Sequence, residues 1–520
     1  MEVIVLGAGQ EVGRSSILIK IGNKTILLDC GIHISYTDDR RYPLFKDYME
    51  DMKKIDMVFI THFHLDHCGA IPYLVNELKY DGPIYMTKPT KEIIPILLED
   101  YEKIINFFSE KKVDLKERKN EIIASLKNVK IINFNEKVFI EGVEITTYKA
   151  GHVLGAAMFH ISYDNQTILY TGDFNTTPEI HLDGARVPNL NVDVLITEST
   201  CTDKKRSVKT GLNREFIDTA CKTMKKGGNV LLPVFSVGRA QELFMLIQFF
   251  EDEIKEFGDI YCTKGMFEKA NAIYRQNIDF MSENIRNKVK NNMESFDLVE
   301  FIEKHKNEKD FDQKIKIFEQ KMTSIFVQNE KFEILSEELI KIFNISEKYK
   351  RPQLVFATPS MLNSGISLEL FKRWCNNENN LVLIPGYCSK NTVGEKLLKG
   401  ETVINLHGTE YNVKMGVKKI SLSSHADSAS LCKLIRQVKP KNIVLVHGEK
   451  QKMRKTYNLI KDNFKISAET PFNSQKLSFE KNSRNFEIKD CVYNFENDEI
   501  IEAFIEDGEI KKVKKYNIDQ

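Results

Sequence analysis

Short apolar runs alternate with polar breaks along the first 200 residues, a pattern typical of strands that alternate with helices. Residues 3–6, 16–21 and 25–28 predict consecutive strands joined by turns that contain glycine. Residues 57–60 predict a short buried strand, and 70–75 predict the start of a helix. Apolar positions then recur at helical spacing between 90 and 128, which predicts an amphipathic helical segment.

Five further apolar runs each end just before an acidic or imidazole side chain. They are 144–148 before His152, 167–170 before Asp173, 194–197 before Glu198, 420–422 before His425 and 443–446 before His447. If these strands run in the same direction, their carboxyl ends meet at one edge of a sheet, where α/β proteins place their chemistry. Taken singly, each such residue has a simpler explanation as a turn or capping residue. The repetition favours a shared site.

The densest candidate chemistry lies between the strand at 57–60 and the helix predicted to follow it. His62, His64, Asp66 and His67 place three of the eleven histidines of the chain within six positions. In an extended segment His62 and His64 point to the same side, because side chains alternate with period two. Imidazole and carboxylate together suit zinc. The alternative, polar residues on a surface loop, does not explain this density.

Length and composition narrow the class of protein. A chain of 520 residues exceeds the size of a single core, which predicts at least two folded units. The net charge of +1 argues against a generally basic surface for nucleic acid, so any phosphate recognition has to be local. Nine cysteines without a Cys-x-x-Cys pair favour a reducing compartment. With no apolar run of membrane-spanning length and no signal-like first segment, we expect a soluble intracellular protein that has no membrane partner.

Candidate ligands before and after residues 201–385 predict that this region is a second α/β domain inserted into the first. We therefore divide the chain into 1–200 and 386–465 for the two parts of one domain, 201–385 for the insertion and 466–520 for a small appendage. Within the insertion, the charged segment 281–350 predicts a solvated helical face or a variable insertion. Arg239, at the start of a predicted helix, either holds a phosphate or makes a structural ion pair.

Seven candidate ligands divide into two zinc sites, which gives an expected cofactor of two Zn²⁺ per chain. His62, His64 and His152 form the first site, Asp66, His67 and His447 form the second, and Asp173 bridges them. Two zinc ions can neutralise a phosphodiester and hold its attacking and leaving oxygens.

The remaining carboxylates and the remaining histidine supply candidate catalytic residues. We expect Glu198 to orient His425 as the proton donor to the leaving group. We expect Asp29 to fix a metal-bound histidine or the attacking water. Asp66 belongs to the catalytic set as well as to the metal set.

A resemblance to a known family covers about residues 1–465. Its markers are LGAGQEVGR from Leu6, LDCG from Leu28, HFHLDHCGA from His62, AGHVLGAAMF from Ala150, YTGDF from Tyr170, ITEST from Ile196, PVFSVGRAQE from Pro233, PGYC from Pro385, SSHAD from Ser423 and VHGE from Val446. The chain thereby resembles the metallo-β-lactamase superfamily nucleases of the β-CASP group. The resemblance implies an αββα sandwich interrupted by a β-CASP α/β domain, with the active site in the cleft between them.

The same resemblance implies roles for individual residues. The family's metallo-β-lactamase motifs fall on Asp29, on the histidines and aspartate of 62–67, and on His152 and Asp173. The β-CASP motifs fall on Glu198, His425 and His447. A histidine at the third β-CASP motif goes with RNA nucleases, whereas the DNA-processing branch usually carries valine, so His447 favours RNA.

The implied activity is that of a zinc-dependent RNA endonuclease. DDRRYP from Asp38 and GPIYMT from Gly82 resemble the Integrator branch, which cleaves nascent transcripts including small nuclear RNA 3′ ends. The alternative is its sibling branch in pre-mRNA cleavage and polyadenylation. Either implies a nuclear protein in a heteromeric complex with a catalytically silent homologous subunit and other processing factors. Two hypotheses from other functional classes stay open: the chain is a catalytically silent scaffold subunit, or it is a small-molecule metallo-hydrolase.

Overall fold

A computed structural model describes most of the chain. The described residues are 1–108, 112–206, 209–235, 237–263, 266–287, 333–335, 351–386, 388, 392–406, 408–480, 488–494, 499–506 and 509–517. Most of the charged segment predicted at 281–350 lies outside these ranges. The interpretation of that segment as a solvated insertion therefore stays a prediction.

The described chain contains both strands and helices. The strands up to residue 200 are β1 Glu2–Gly7, β2 Ser16–Ile21, β3 Lys24–Leu28, β4 Met57–Phe59, β5 Ile84–Met86, β6 Val129–Ile131, β7 Lys137–Ile140, β8 Val143–Lys149, β9 Ala157–Tyr163, β10 Gln166–Tyr170 and β11 Val194–Glu198. Those from 201 to 420 are β12 Val230–Pro233, β13 Asp259–Thr263, β14 Glu333–Leu335, β15 Gln353–Ala357, β16 Leu381–Ile384, β17 Val403–Leu406, β18 Thr409–Asn412 and β19 Gly416–Lys419. The later ones are β20 Asn442–Val446, β21 Ser467–Glu469, β22 Lys476–Ser478, β23 Ile488–Asn494, β24 Glu499–Glu506 and β25 Glu509–Asn517.

The helices lie between these strands. They are α1 Met49–Met52, α2 Leu65–Cys68, α3 Lys88–Phe108, α4 Leu115–Ser125, α5 Lys209–Lys225, α6 Arg239–Phe249, α7 Glu251–Lys255, α8 Met266–Gln276, α9 Gly365–Trp374, α10 Val393–Leu398, α11 Ser428–Val438 and α12 Lys450–Phe464. The helical segment predicted at 90–128 is two helices, α3 and α4. The helix predicted from residue 70 begins earlier, with α2, and is followed by a π-helical turn at Tyr73–Glu77. No described helix is long and apolar enough to cross a membrane.

Two seven-stranded sheets form the first domain, in the orders β22-β1-β2-β3-β4-β5-β6 and β21-β20-β11-β10-β9-β8-β7. The alternation along the strands explains how they pack. In β1, Val3 and Val5 face the core between the two sheets, whereas Ile4 and Leu6 face the helices outside. Because both faces of each sheet are covered in this way, the predicted αββα sandwich is confirmed.

The inserted domain is built on a six-stranded parallel sheet in the order β14-β13-β15-β12-β16-β19. Helices α5 and α6 pack on one face of this sheet and α9 and α10 on the other. Strand β19 extends this sheet to Lys419, and β21 and β22 extend the two sandwich sheets beyond residue 466. We therefore propose domain boundaries later than residues 385 and 466.

The prediction of a strand at 420–422 is wrong, because β19 ends at Lys419. Ile420 and Leu422 are nevertheless buried. Their amides donate to the carbonyls of Ile384 and Pro385 at 3.1 Å each, so the chain follows β16 without regular strand geometry. The apolar pattern at 420–422 correctly indicated that Ile420 and Leu422 are buried, but a buried segment does not have to form a strand.

The other predicted strands meet at one edge as expected. Strands β10, β11 and β20 are parallel neighbours, so their carboxyl ends lie side by side. Strand β8 runs in the same direction as β10, because both are antiparallel to β9. In the opposite sheet β3 and β4 are also parallel. The segments that follow these strands therefore converge on one rim of the sandwich.

Candidate metal centre

The first group of candidate ligands comprises His62, His64 and His152, together with Asp173. His64 Nδ1 lies 3.0 Å from His62 Nε2 and 3.2 Å from His152 Nε2. His62 and His152 are buried, and one ligand atom from each member of this group lies within 4.8 Å of the others. The structure therefore brings together the three histidines predicted for one metal.

Hydrogen bonds on the outer side of these rings fix which nitrogen faces inward. Thr61 Oγ1 donates to the Asp29 carboxylate and lies 3.0 Å from His62 Nδ1, which can donate to it. His152 Nδ1 lies 3.0 Å from the carbonyl of Ser424, which only accepts. Each ring therefore directs an Nε2 lone pair inward. Burial lowers the pKa of His64 to about 4 and the pKa values of His62 and His152 well below 6.5, so all three rings are neutral at pH 7, which is the form that can bind a metal ion.

The second group comprises Asp66, His67 and His447. Asp66 Oδ2 lies 3.2 Å from His447 Nε2, and the rings of His67 and His447 lie 4.9 Å apart between centroids. Burial opposes the charge of Asp66, but the hydrogen bond from His447 and the electrostatic effects of His67 and His447 together outweigh it and lower the pKa of the carboxyl group. Residues that are 381 positions apart therefore meet in the fold.

Asp29 lies behind His67. Its Oδ2 accepts from His67 Nδ1 and from the Tyr170 hydroxyl, at 2.7 Å each, while Oδ1 accepts from the Thr61 amide at 2.7 Å. With Nδ1 occupied, His67 directs Nε2 towards Asp173. Burial opposes the charge of His67, but Asp173 and Asp29 outweigh it and raise the pKa of the ring well above 6.5. A carboxylate behind a ligand histidine is a common arrangement in metal sites.

Asp173 connects the two groups. Its Oδ1 lies 3.2 Å from His447 Nδ1, and its Oδ2 lies 3.4 Å from His67 Nε2 and 3.7 Å from His152 Nε2. Gly172 allows this approach, because its φ is +51° and a Cβ there would lie 2.6 Å from Thr61. Asp173 Oδ1 is buried and accepts no hydrogen bond from the described residues.

These contacts provide a test of whether the residues suit divalent cations. The rings of His62 and His152 both direct an Nε2 lone pair towards the neutral ring of His64, whose single N–H can satisfy only one of them, and Asp173 Oδ1 is buried without a donor among the described residues. Lone pairs in that arrangement repel unless a cation lies between them, and burying such groups unsatisfied is costly. The nitrogen and oxygen donor set is the one that zinc takes in hydrolytic sites. The residues present therefore fit a pair of divalent metal ions.

Comparisons with known proteins agree with the fold and with this geometry. Residues 18–200 match the profile of a metallo-beta-lactamase superfamily domain, 240–397 that of a Beta-Casp domain, and 410–471 that of a "Zn-dependent metallo-hydrolase RNA specificity domain". The chain is 40% identical to "Integrator complex subunit 11" of Gallus gallus over 488 residues, which cover 91% of this chain and 73% of that one. The chain belongs to the metallo-β-lactamase/β-CASP family.

Two further relatives place the chain within this family. It is 40% identical to "Integrator complex subunit 11" of Danio rerio, over 93% of this chain and 75% of that one. It is 35% identical to "Cleavage and polyadenylation specificity factor subunit 3-II" of Arabidopsis thaliana, over 94% and 75% of the two chains. The predicted resemblance is thereby confirmed, and the superfamily implies that divalent metal is bound.

The loop that carries His425, which follows β19, also contributes to the rim. Glu198 Oε2 lies 2.9 Å from His425 Nδ1, and Glu198 Oε1 accepts from the Phe174 amide at 2.8 Å. Burial opposes the charge of His425, but Glu198 and Asp173 outweigh it and raise the pKa of the ring to about 10. Arg206 donates to the carbonyl of His425 and to that of Ser423, which fixes the backbone on both sides of Ser424.

Several of these supporting residues escaped the sequence analysis. Thr61 directly precedes the motif that starts at His62, and Tyr170 begins the motif YTGDF, so their position next to candidate ligands was the available signal. The Ser424 carbonyl gave no signal, since every residue has one. Arg239 at the start of α6 makes an ion pair with Glu179 at 3.0 Å, which is the structural alternative considered for it.

Proposed function

We propose that this chain is a zinc-dependent RNA endonuclease that hydrolyses phosphodiester bonds in nascent transcripts. The observation that carries the proposal is the single carboxylate of Asp173 between two ligand groups, with the Glu198–His425 pair beside it. The match of residues 410–471 to an RNA specificity domain supports RNA as the substrate. The names of the relatives support the same class of reaction.

His62, His64 and His152 would hold one zinc ion, Asp66, His67 and His447 the other, and Asp173 both. When bound, two zinc ions supply charge neutralisation of the phosphodiester and a strong nucleophile from water. Asp29 keeps His67 in the tautomer that presents Nε2 as ligand, and Ser424 does the same for His152. These supports are in place before substrate binds, so no reorganisation is needed at the moment of reaction.

His425 would protonate the leaving ribose oxygen. Its Nδ1 is held by Glu198, which leaves the opposite edge of the ring, with Nε2, for the leaving group. Glu198 also stabilises the protonated ring, so the proton is present at neutral pH. After transfer, the neutral ring regains its proton from water.

Within the family we propose an Integrator-type role, including small nuclear RNA and mRNA 3′-end processing. Identity is 40% to the two Integrator subunits and 32–35% to the cleavage and polyadenylation factors, which supports this choice over the alternative branch. We also propose that the chain acts in the nucleus, in a complex with a catalytically silent homologous subunit and other processing factors. Copurification with polyadenylation factors alone would refute the Integrator assignment.

A circular RNA provides the direct test, because only an endonuclease can open a molecule that has no ends. The purified chain, loaded with zinc and assayed alone and with its copurified partners, should linearise the circle. Glu198→Gln in the same complex should reduce cleavage and retain zinc. Turnover of a thioester without RNA cleavage would instead indicate a small-molecule hydrolase, and a chain without zinc or cleavage would indicate a scaffold.

A further inference from the structure

A second group of buried charges lies where the metallo-β-lactamase and β-CASP domains meet. Glu179 and His181 belong to the segment that follows Asp173, whereas Lys209 begins α5 and Glu242 lies in the first turn of α6. Glu179, His181 and Glu242 are buried, and one ligand-type atom from each lies within 4.8 Å of the others. This group takes no part in the chemistry described above.

The charges that surround this group argue against a third metal ion. Lys209 Nζ lies 2.7 Å from Glu242 Oε1 and 3.0 Å from Glu179 Oε1, and Arg239 Nη2 lies 3.0 Å from the same Glu179 oxygen. Two carboxylates are therefore balanced by two cations around a histidine. A divalent ion would have to displace both cations from a buried position, at a large cost. The group is an ion-pair network between domains, hereafter the Glu242 network.

Glu242 is the centre of this network, because each of its two oxygens accepts two hydrogen bonds. Oε1 accepts from the Ile180 amide at 3.0 Å and from Lys209 Nζ at 2.7 Å. Oε2 accepts from the His181 amide at 3.1 Å and from His181 Nδ1 at 2.7 Å. Burial opposes the charge of Glu242, but the hydrogen bond from His181 and the nearby cations outweigh it and lower the pKa of the carboxyl group. Glu242 is therefore ionised and fully engaged.

On the metallo-β-lactamase side, the network holds the segment 174–185, which also contacts the metal centre. The Phe174 amide donates to Glu198, and the Asn175 amide donates to the Ala150 carbonyl, two residues before His152. The Ser282 amide of the inserted domain donates to the His181 carbonyl at 2.9 Å. Movement of this segment would therefore reach both Glu198 and the loop of His152.

On the β-CASP side, the network holds the start of α6, which faces the first group of ligands. α6 is preceded by Gly238, whose φ is +93°; a Cβ there would lie 3.7 Å from His64 Nε2 and 3.3 Å from Val153. The Gly238 amide donates to Gln241 in the same turn as Glu242. The network thus joins two elements that each approach the metal centre from a different domain.

We propose that the Glu242 network is a positioning site that fixes the β-CASP domain over the metal centre and so aligns an RNA phosphodiester for cleavage. This inference rests on the proposed function. Glu242 does not touch the reacting atoms. Its effect passes through the segment 174–185 and through the start of α6.

Glu242→Gln tests the proposal with almost no change in volume. In one orientation the amide nitrogen of glutamine faces the Ile180 amide and Lys209 Nζ, and in the other it faces the His181 amide, so at least one fixed donor loses its acceptor either way. The matched control is Glu253→Gln, which removes a charge from an exposed ion pair with Arg214 on the same domain. Each protein is measured in its complex for zinc content, single-turnover RNA cleavage and hydrogen exchange of peptides that cover 174–185.

For Glu242→Gln we expect two zinc ions per chain, cleavage at least tenfold slower than in the wild type, and faster amide exchange over 174–185. The control should match the wild type in all three. Wild-type exchange and cleavage in Glu242→Gln would overturn the proposal. Loss of zinc would also overturn it, because the network would then support the ligands themselves.

Two further measurements keep the test decisive. If Glu242→Gln does not fold, Glu242→Asp retains the charge on a shorter side chain and should still show faster exchange over 174–185; unchanged exchange would refute the network. If the zinc-loaded wild type cleaves no RNA, the proposed function fails. The exchange difference between Glu242→Gln and the control then still decides whether the network fixes the segment.

Discussion

Asp173→Asn is the sharpest test of the shared carboxylate. The substitution keeps the shape of the side chain, so it creates no cavity, but it replaces one acceptor oxygen with an NH₂ group. Asp173 Oδ1 faces His447 Nδ1 at 3.2 Å, and Oδ2 faces His67 Nε2 at 3.4 Å. In either orientation the NH₂ group therefore points a donor towards a ring of the second ligand group. The nitrogen of that group cannot replace the lost oxygen as a metal ligand.

The size of the expected loss in zinc affinity follows from the burial of Asp173. Asp173 is 1% exposed, so solvent screens little of the lost charge. Removing one member of a buried charge group costs about 3 to 5 kcal/mol. At 1.4 kcal/mol per factor of ten, this corresponds to about two to three and a half orders of magnitude in zinc affinity. RNA cleavage should fall at least as far, because both ligand groups lose their shared residue.

The assay is zinc content after dialysis against a buffer of fixed free zinc, together with single-turnover cleavage of the same RNA. Asp218→Asn is the matched control, since Asp218 lies exposed on α5 in an ion pair with Arg214. The control should retain two zinc ions and full cleavage. Two tightly bound zinc ions and wild-type cleavage in Asp173→Asn would refute the two-metal arrangement.

Three further predictions concern the residues around the ligands. Asp29→Asn should weaken zinc binding about 10- to 100-fold, measured by competition with a chelating dye, because His67 loses its carboxylate partner. Glu198→Gln should move the alkaline fall of the pH–rate profile to lower pH: a proton donor is lost as pH rises through its pKa, and Glu198 raises the pKa of His425. An unchanged profile would exclude His425 as the donor. Chelation should lower the melting temperature in differential scanning fluorimetry, and zinc should restore it, because ligand at 100 times its Kd adds about 2.7 kcal/mol.

Local patterning was sufficient to predict most strands and the position of the candidate residues at their ends. The predicted strands at 144–148, 167–170 and 443–446 lie within β8, β10 and β20. These predictions hold because period-two alternation and apolar runs indicate directly which side chains are buried. The same signal failed at 420–422, where the residues are buried beside β16 without strand geometry. Burial is encoded locally, whereas the choice between strand and irregular backbone depended on the neighbouring chain.

The sequence by itself thus determined the class of fold and predicted the candidate ligands and their grouping. Sequence analysis grouped Asp66 with His447, but only the tertiary structure showed that they meet across 381 positions, because that contact depends on the order of strands in two sheets. The tertiary structure also decided that Ser424 sets the tautomer of His152 and that Glu242 joins the domains. Those contacts use backbone groups and single charges that carry no pattern along the chain, and they exist only once the inserted domain packs against the sandwich.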